Sequence, residues 1–213
     1  MAVYDLEEQE QLAALKTYWK LHGNLILTIL TVAFAVIAAF QAWNYYQRRQ
    51  AAEASSVYGA LQRAQAAKDA KQIKALAGTI LEKYSGTYYA AMAALVSAKS
   101  AYESGDAKSA KAQFEWVAEH AKAEEFRYLA RLRLAGLLLD EKDYEGAMKL
   151  VDAKANAAFA ARFADLRGDI LAAQKKVADA RSAYDAALNA IEQKNAAFRQ
   201  FVQQKRDSLG GGS

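Results

Sequence analysis

A run of uncharged residues from Leu25 to Trp43, LILTILTVAFAVIAAFQAW, limits what this chain can fold into more than any other feature. As a helix, about 19 residues rising about 1.5 Å each span roughly 28 Å, close to the hydrocarbon thickness of a bilayer, so the run can cross once. Its clearly polar members are Thr28, Thr31 and Gln41, and a hydroxyl in a helix can bond back to a carbonyl of the preceding turn. Trp43, Tyr45 and Tyr46 are followed by Arg48 and Arg49, while Tyr18, Trp19 and Lys20 stand on the other flank. That is the order in which rings sit at lipid headgroups and cations sit in water. A buried core helix rarely carries such a belt at both ends. A cleavable signal peptide is the sharper competitor, because Lys16 and Lys20 precede the run and small residues (Ala33, Ala35, Ala38, Ala39) lie within it. Against it, about 23 residues come first, the run exceeds the usual apolar core of about 7 to 15 residues, and bulky rings fill its exit. Residues 24–46 therefore read as a retained single-pass anchor, preceded by a short tail over 1–23 and followed by a domain over 47–207.

That domain is long enough to bury a core of its own. Alanine is abundant, proline absent and glycine sparse at 11 of 213 residues, so an all-α fold is expected. The absence of cysteine excludes a lipid-attachment cysteine, disulfides and thiolate metal sites, and suits an oxidising compartment. Of the net charge of +4, residues 1–23 carry −2 (Asp5, Glu7, Glu8 and Glu10 against Lys16 and Lys20), leaving +6 for the rest. Acids and bases are interspersed along that remainder, and nothing in the pattern calls for nucleic acid.

Residues 5–22 carry Leu12, Leu15 and Trp19 at helical spacing with acids at the start, where a helix dipole favours them. Beyond the anchor, Gln47 to Ala67 has no breaker except Gly59, so the transmembrane helix is expected to continue as a stalk. That stalk would merge with a first domain helix packing through Val57, Tyr58, Leu61 and Ala64. The region after it repeats. Small residues at Ala98, Ala135 and Gly168 are each followed twelve positions later by Ala110, Ala147 and Ala180, spaced 37 and 33 residues apart. Extrapolating back by 33 reaches Ala77, with Leu81 where Phe114 stands. The spacing brackets the period of about 34 residues of tetratricopeptide repeats, in which small residues let the two helices of a unit approach closely. The copies are degenerate: no proline ends a unit, the first copy at about 58–84 lacks most marks, and only Gly105 supplies a turn glycine. An irregular helical bundle is the alternative. Breaks are expected at Ser85–Thr87, Glu119–Glu124 and Lys154–Ala158, a solvating terminal cap over Asn195–Asp207, and a flexible tail over 208–213.

Motifs for chemistry are missing. His22 and His120 stand apart, no HExxH or P-loop occurs, and the acid pairs Glu124-Glu125 and Asp140-Glu141 read as solvated turns, so neither enzyme, cofactor nor metal is expected.

Tyr4 to Asn24 before the anchor, Tyr84 to Tyr102 with Gly105-Asp106, and above all Ala164-Asp165-Leu166-Arg167-Gly168-Asp169 followed by Ala180-Arg181-Ser182-Ala183-Tyr184 resemble the YfgM-type family of ancillary subunits of the SecYEG translocon. The resemblance spans nearly the whole chain. It implies a bacterial inner-membrane protein with a cytoplasmic N-terminus and a periplasmic tetratricopeptide-like domain. Such a protein is a non-enzymatic interaction module that links export to periplasmic chaperones, with a PpiD-type foldase as partner and lipid contacted through the anchor. The loop charges lean the other way on orientation, with Arg48, Arg49 and Arg63 after the anchor against Lys16 and Lys20 before it. A structural envelope scaffold and an independent substrate-holding chaperone are the rival functions, and no small-molecule substrate is implied. First helices line the concave face of a tetratricopeptide array, so Arg162, Asp165 and Asp169, sharing a stripe nearly opposite the packed Ala164, Gly168 and Leu171, are candidate partner contacts. Lys99, Tyr102 and Arg133 hold corresponding places in the earlier copies. Joint replacement of Arg162, Asp165 and Asp169 by alanine is expected to leave melting nearly unchanged.

Overall fold

The computed structural model describes the backbone of residues 3–152 and 156–210, and the side chains of residues 8–152 and 156–210. Among the described residues there are only helices and short connections: α1 (Val3–Ala66), α2 (Ala70–Lys83), α3 (Tyr88–Glu103), α4 (Ala107–His120), α5 (Glu124–Asp140), α6 (Tyr144–Val151), α7 (Ala157–Ala173), α8 (Val177–Ala190) and α9 (Ala196–Ser208). The chain forms two compact units, residues 1–50 and residues 51–213.

The first unit belongs to α1, which is helical throughout the apolar run. Leu25, Ile29, Phe34, Ile37 and Phe40 are all exposed, so this stretch of the helix presents an apolar surface. It is long and apolar enough to cross a membrane. The Thr28 and Thr31 hydroxyls donate to the carbonyls of Asn24 and Leu27, each at 2.8 Å, so the two hydroxyls add no unsatisfied donor.

The second unit is a stack of helix pairs. The end of α1 places Tyr58 and Leu61 against Ala77 and Ile80 of α2 and Ala90 and Ala93 of α3. The pairs α3–α4, α5–α6 and α7–α8 follow, each stacked on the next, and α9 closes the array on α8. Within each pair the same turn recurs. Lys68, Gly105, Lys142 and Lys175 all have positive φ, between 55° and 81°. Backbone N–H groups at Asp69, Asp106, Asp143 and Lys176 reach back to the carbonyls of Ala64, Ala101, Leu138 and Leu171 at 2.8–3.0 Å, closing the preceding helix. The aspartates among these residues then start the next helix, their carboxylates accepting from the N–H groups of Gln72, Ser109 and Gly146 at 2.9–3.0 Å. Lys176 makes no such side-chain bond.

These cap positions, 69, 106, 143 and 176, fix the repeat register. The second helices bury residues four, eight and eleven beyond the cap: Ile73, Ala77 and Ile80 in α2, Ala110, Phe114 and Val117 in α4, Ala180, Tyr184 and Ala187 in α8. The first copy is therefore 37 residues before the second rather than 33, and Ile73, not Ala77, matches Ala110. The helices end at or within two residues of the first two expected breaks, whereas at the third Ala157 and Ala158 already belong to α7, and Lys154 and Ala155 lie outside the described residues. Ala98, Ala135, Ala110, Ala147 and Ala180 are all fully buried. At Gly168 a Cβ would strike the Tyr184 ring, so that glycine sets the distance between α7 and α8. Leu209, placed in the expected tail, instead packs on the Tyr184–Val202 cluster, and Gly211–Ser213 lie outside the described residues.

Candidate protein-interaction surface

First helices pack one face into the array and leave the other open. In α3 the buried set is Ala90, Ala91, Ala93, Ala94, Ser97 and Ala98, which leaves Tyr88, Lys99, Tyr102 and Glu103 exposed at the helical spacing of the opposite side. In α5, burial of Ala130, Leu134, Ala135, Leu137 and Leu138 leaves Arg133 and Asp140 on the open side, with Leu129 and Gly136 half-buried beside them. The Tyr102 hydroxyl donates to Asp140 Oδ2 at 2.6 Å and ties α3 to α5 across this face, which raises the phenol's pKa. Lys99 pairs loosely with Glu103 at 3.6 Å, and no ion pair engages Arg133 among the described residues. The surface thus offers cations and a ring edge held by a fixed hydrogen bond. The backbone between them is rigid helix.

On α7 the arrangement differs from expectation. Arg162 is exposed, its guanidinium 5.2 Å from the Phe198 ring centre. Asp165 is only 9% exposed and Asp169 half-buried. Both carboxylates are taken by Lys205 of α9, whose ammonium donates to Asp165 Oδ1 and Oδ2 at 2.9 and 3.1 Å and to Asp169 Oδ2 at 2.7 Å. The Tyr184 hydroxyl donates to the other Asp169 oxygen at 2.7 Å, and the Lys205 ammonium lies 4.6 Å from the Phe201 ring centre. Burial pushes the Asp165 carboxyl above the usual range, with Lys205 opposing it, and burial together with Asp169 pushes the Tyr184 phenol far up. Asp165 and Asp169 are therefore not a free face. The physical reason is that α9 packs against the end of the array and covers them, so their removal would unlatch a helix instead of leaving melting unchanged.

Lys205 and Tyr184 were absent from the candidates drawn from sequence. A signal for Lys205 exists: it falls four positions after Phe201 and three after Val202, so it shares the apolar side of α9. Further ties hold α9, with Arg206 Nε 2.6 Å from Asp185 Oδ1 and Arg199 donating to the Ile191 carbonyl at 2.9 Å. Among the described residues no three His, Asp or Glu side chains are grouped as a metal site.

Residues 16–211 match the model of the tetratricopeptide repeat-like domain family. Among characterised proteins, the chain is 29% identical over 208 residues to the ancillary SecYEG translocon subunit of Neisseria gonorrhoeae, covering 96% of this chain and 98% of that one. The ancillary SecYEG translocon subunit of Haemophilus influenzae is 26% identical over 86% of this chain and 90% of its own. That of Escherichia coli is 24% identical over 87% and 89%. No solved structure matches the chain significantly. The family match covers the apolar run and every helix pair, so the chain belongs to the tetratricopeptide repeat-like family, and it is a relative of the ancillary SecYEG translocon subunits over 86–96% of its length.

Proposed function

We propose that the protein is a non-enzymatic ancillary subunit of a SecYEG translocon, anchored by residues 24–46 with residues 1–23 in the cytoplasm and the helical array in the periplasm. The observation that carries this reading is the end-to-end alignment with the Neisseria protein, tail and anchor included, rather than with the repeats alone. Repeats in general serve many binding roles, whereas an alignment that runs through both the apolar run and the repeats over 98% of a relative matches more than the repeats. The open face of α3 and α5, with Lys99, Tyr102 and Arg133, and Arg162 on α7, is the surface we assign to a polypeptide partner. A PpiD-type foldase is the partner that would connect export to periplasmic chaperones. Pull-down from solubilised membranes tests it. The full chain should recover SecYEG and the foldase, and the variant Lys99→Ala/Tyr102→Ala/Arg133→Ala should recover less foldase at the same level of membrane insertion. Recovery of neither partner by the native chain would leave the scaffold or the holding chaperone in its place.

A further inference from the structure

Seven positions before the caps at 106, 143 and 176, the first helices carry Lys99, Gly136 and Asp169, one row across α3, α5 and α7. Along α3 and α5 this row is open: Lys99 is exposed, and nothing lies within 4 Å of the place a Cβ on Gly136 would take. On α7 it is closed, because Lys205 of α9 holds Asp169 at 2.7 Å and reaches Asp165, one turn earlier, at 2.9 Å. So α9 sits where the open face would otherwise continue onto a third helix. What holds α9 there is mostly polar. Val202 is its one buried residue, and Phe201 stays 52% exposed, whereas α8, of nearly the same length, buries Ala180, Ala183, Tyr184 and Ala187. The remaining ties are Lys205 with its two carboxylates, Arg206 with Asp185 at 2.6 Å, Arg199 with the Ile191 carbonyl at 2.9 Å, and Arg181 of α8 with the Gly210 carbonyl. Elements with little buried apolar area open ahead of the rest of a fold. Attraction between part-exposed charges also weakens as salt shortens its range, from about 10 Å at 0.1 M to about 3 Å at 1 M.

We propose that α9 is a self-inhibitory strap for the partner face: it opens as a unit while the helix pairs stay folded, and while closed it withholds Asp165 and Asp169 of α7 from a partner. This regulation rests on the reading of the open face as the partner surface. Opening extends that face by one helix and adds two carboxylates. A partner meets them with the chemistry α9 now supplies, a lysine beside an aromatic ring. Strap and partner then compete for the same carboxylates, and any change that weakens the strap shifts the balance toward the partner.

Hydrogen exchange of the full chain in lipid nanodiscs, read by mass spectrometry, tests the opening. Amides of α9 should exchange about tenfold or more faster than those of α7 and α8, and about threefold faster again in about 500 mM than in about 50 mM NaCl, with α7 and α8 unchanged. Plain fraying of a terminal helix would be indifferent to salt; that result, or exchange of α9 in step with α8, overturns the strap. Pull-down from solubilised membranes tests what the strap guards. Lys205→Glu sets a third carboxylate against the two now held, and should recover about twofold or more foldase than the native chain, with α3 to α8 as protected from exchange as before. Arg206→Glu, which breaks the pair with Asp185, should act in the same direction. Asp165→Ala/Asp169→Ala frees α9 but removes the carboxylates, and should recover no more than the native chain; recovery equal to that of Lys205→Glu would overturn their role. Recovery at the native level by Lys205→Glu and Arg206→Glu, while Lys99→Ala/Tyr102→Ala/Arg133→Ala recovers less, would overturn the strap and leave the partner face standing. Recovery at the native level by that triple variant would remove the partner face and the proposal with it.

Discussion

At the scale of single residues, the four intra-pair turns need a left-handed residue, and three of them use lysine, where a side chain costs about 1–2 kcal/mol relative to the right-handed region. Lys142→Gly and Lys175→Gly should therefore each stabilise the domain by about 0.5–1 kcal/mol, less than the strain relieved because glycine gains freedom when unfolded, as urea titration would read. Gly168→Ala should have the opposite sign, losing about 1–3 kcal/mol by driving the Tyr184 ring off Asp169, whereas Gly136→Ala, with open space around it, should gain about 0.5–1 kcal/mol. Equal shifts at 136 and 168 would refute the packing role of Gly168. Tyr184 also sets a pH dependence. Its folded pKa is raised above the unfolded value of 10.0, so its contribution is fully present below pH 10 and is lost as pH rises above it. Thermal melting between neutral pH and pH 11 should fall steeply in the native chain and less steeply in Tyr184→Phe; parallel curves would remove the phenol from the account.

At the scale of elements, the latch of α9 decides how the array ends. Lys205→Met keeps length and apolar contact with Phe201 but strands two carboxylates, one of them buried, and should cost about 2 kcal/mol. The triple change of Arg162, Asp165 and Asp169 to alanine should lower melting as well, with greater proteolysis after residue 190; unaltered melting in both would return these side chains to a free surface. Much of this level was legible in the sequence. Ala98, Ala135 and Gly168, with Ala110, Ala147 and Ala180, announce close helix pairs because only small side chains fit where two backbones approach. The turns were half hidden, since Lys68, Lys142 and Lys175 carry no mark of a left-handed conformation and only Gly105 does. The first copy slipped by four residues because Ile73 stands where an alanine was sought. Burial of Asp165 escaped because the residue that makes it tolerable, Lys205, is 40 positions away, and helical spacing within α7 says nothing about what lies beyond it.

At the scale of the molecule, the two units speak to different solvents. Residues 25–43 expose a continuous apolar helix surface that water would penalise, and the array from residue 51 buries its alanine-rich stripes and turns charge outward. The apolar helix is long enough to cross a membrane, and the alignments with two of the relatives cover 96% and 86% of the chain. As proposed above, the open face of the array meets the export machinery on the periplasmic side. Photo-crosslinking in intact cells with a benzophenone residue in place of Tyr88, on the same side of α3 as Tyr102 but about four turns away and outside its hydrogen bond, is the direct test. Adducts containing a SecYEG subunit or a periplasmic foldase are expected, absent when the probe replaces the buried Ile170, together with destruction of the array by protease added to spheroplasts. Adducts formed only with cytoplasmic proteins, together with an array left intact by that protease, would contradict it.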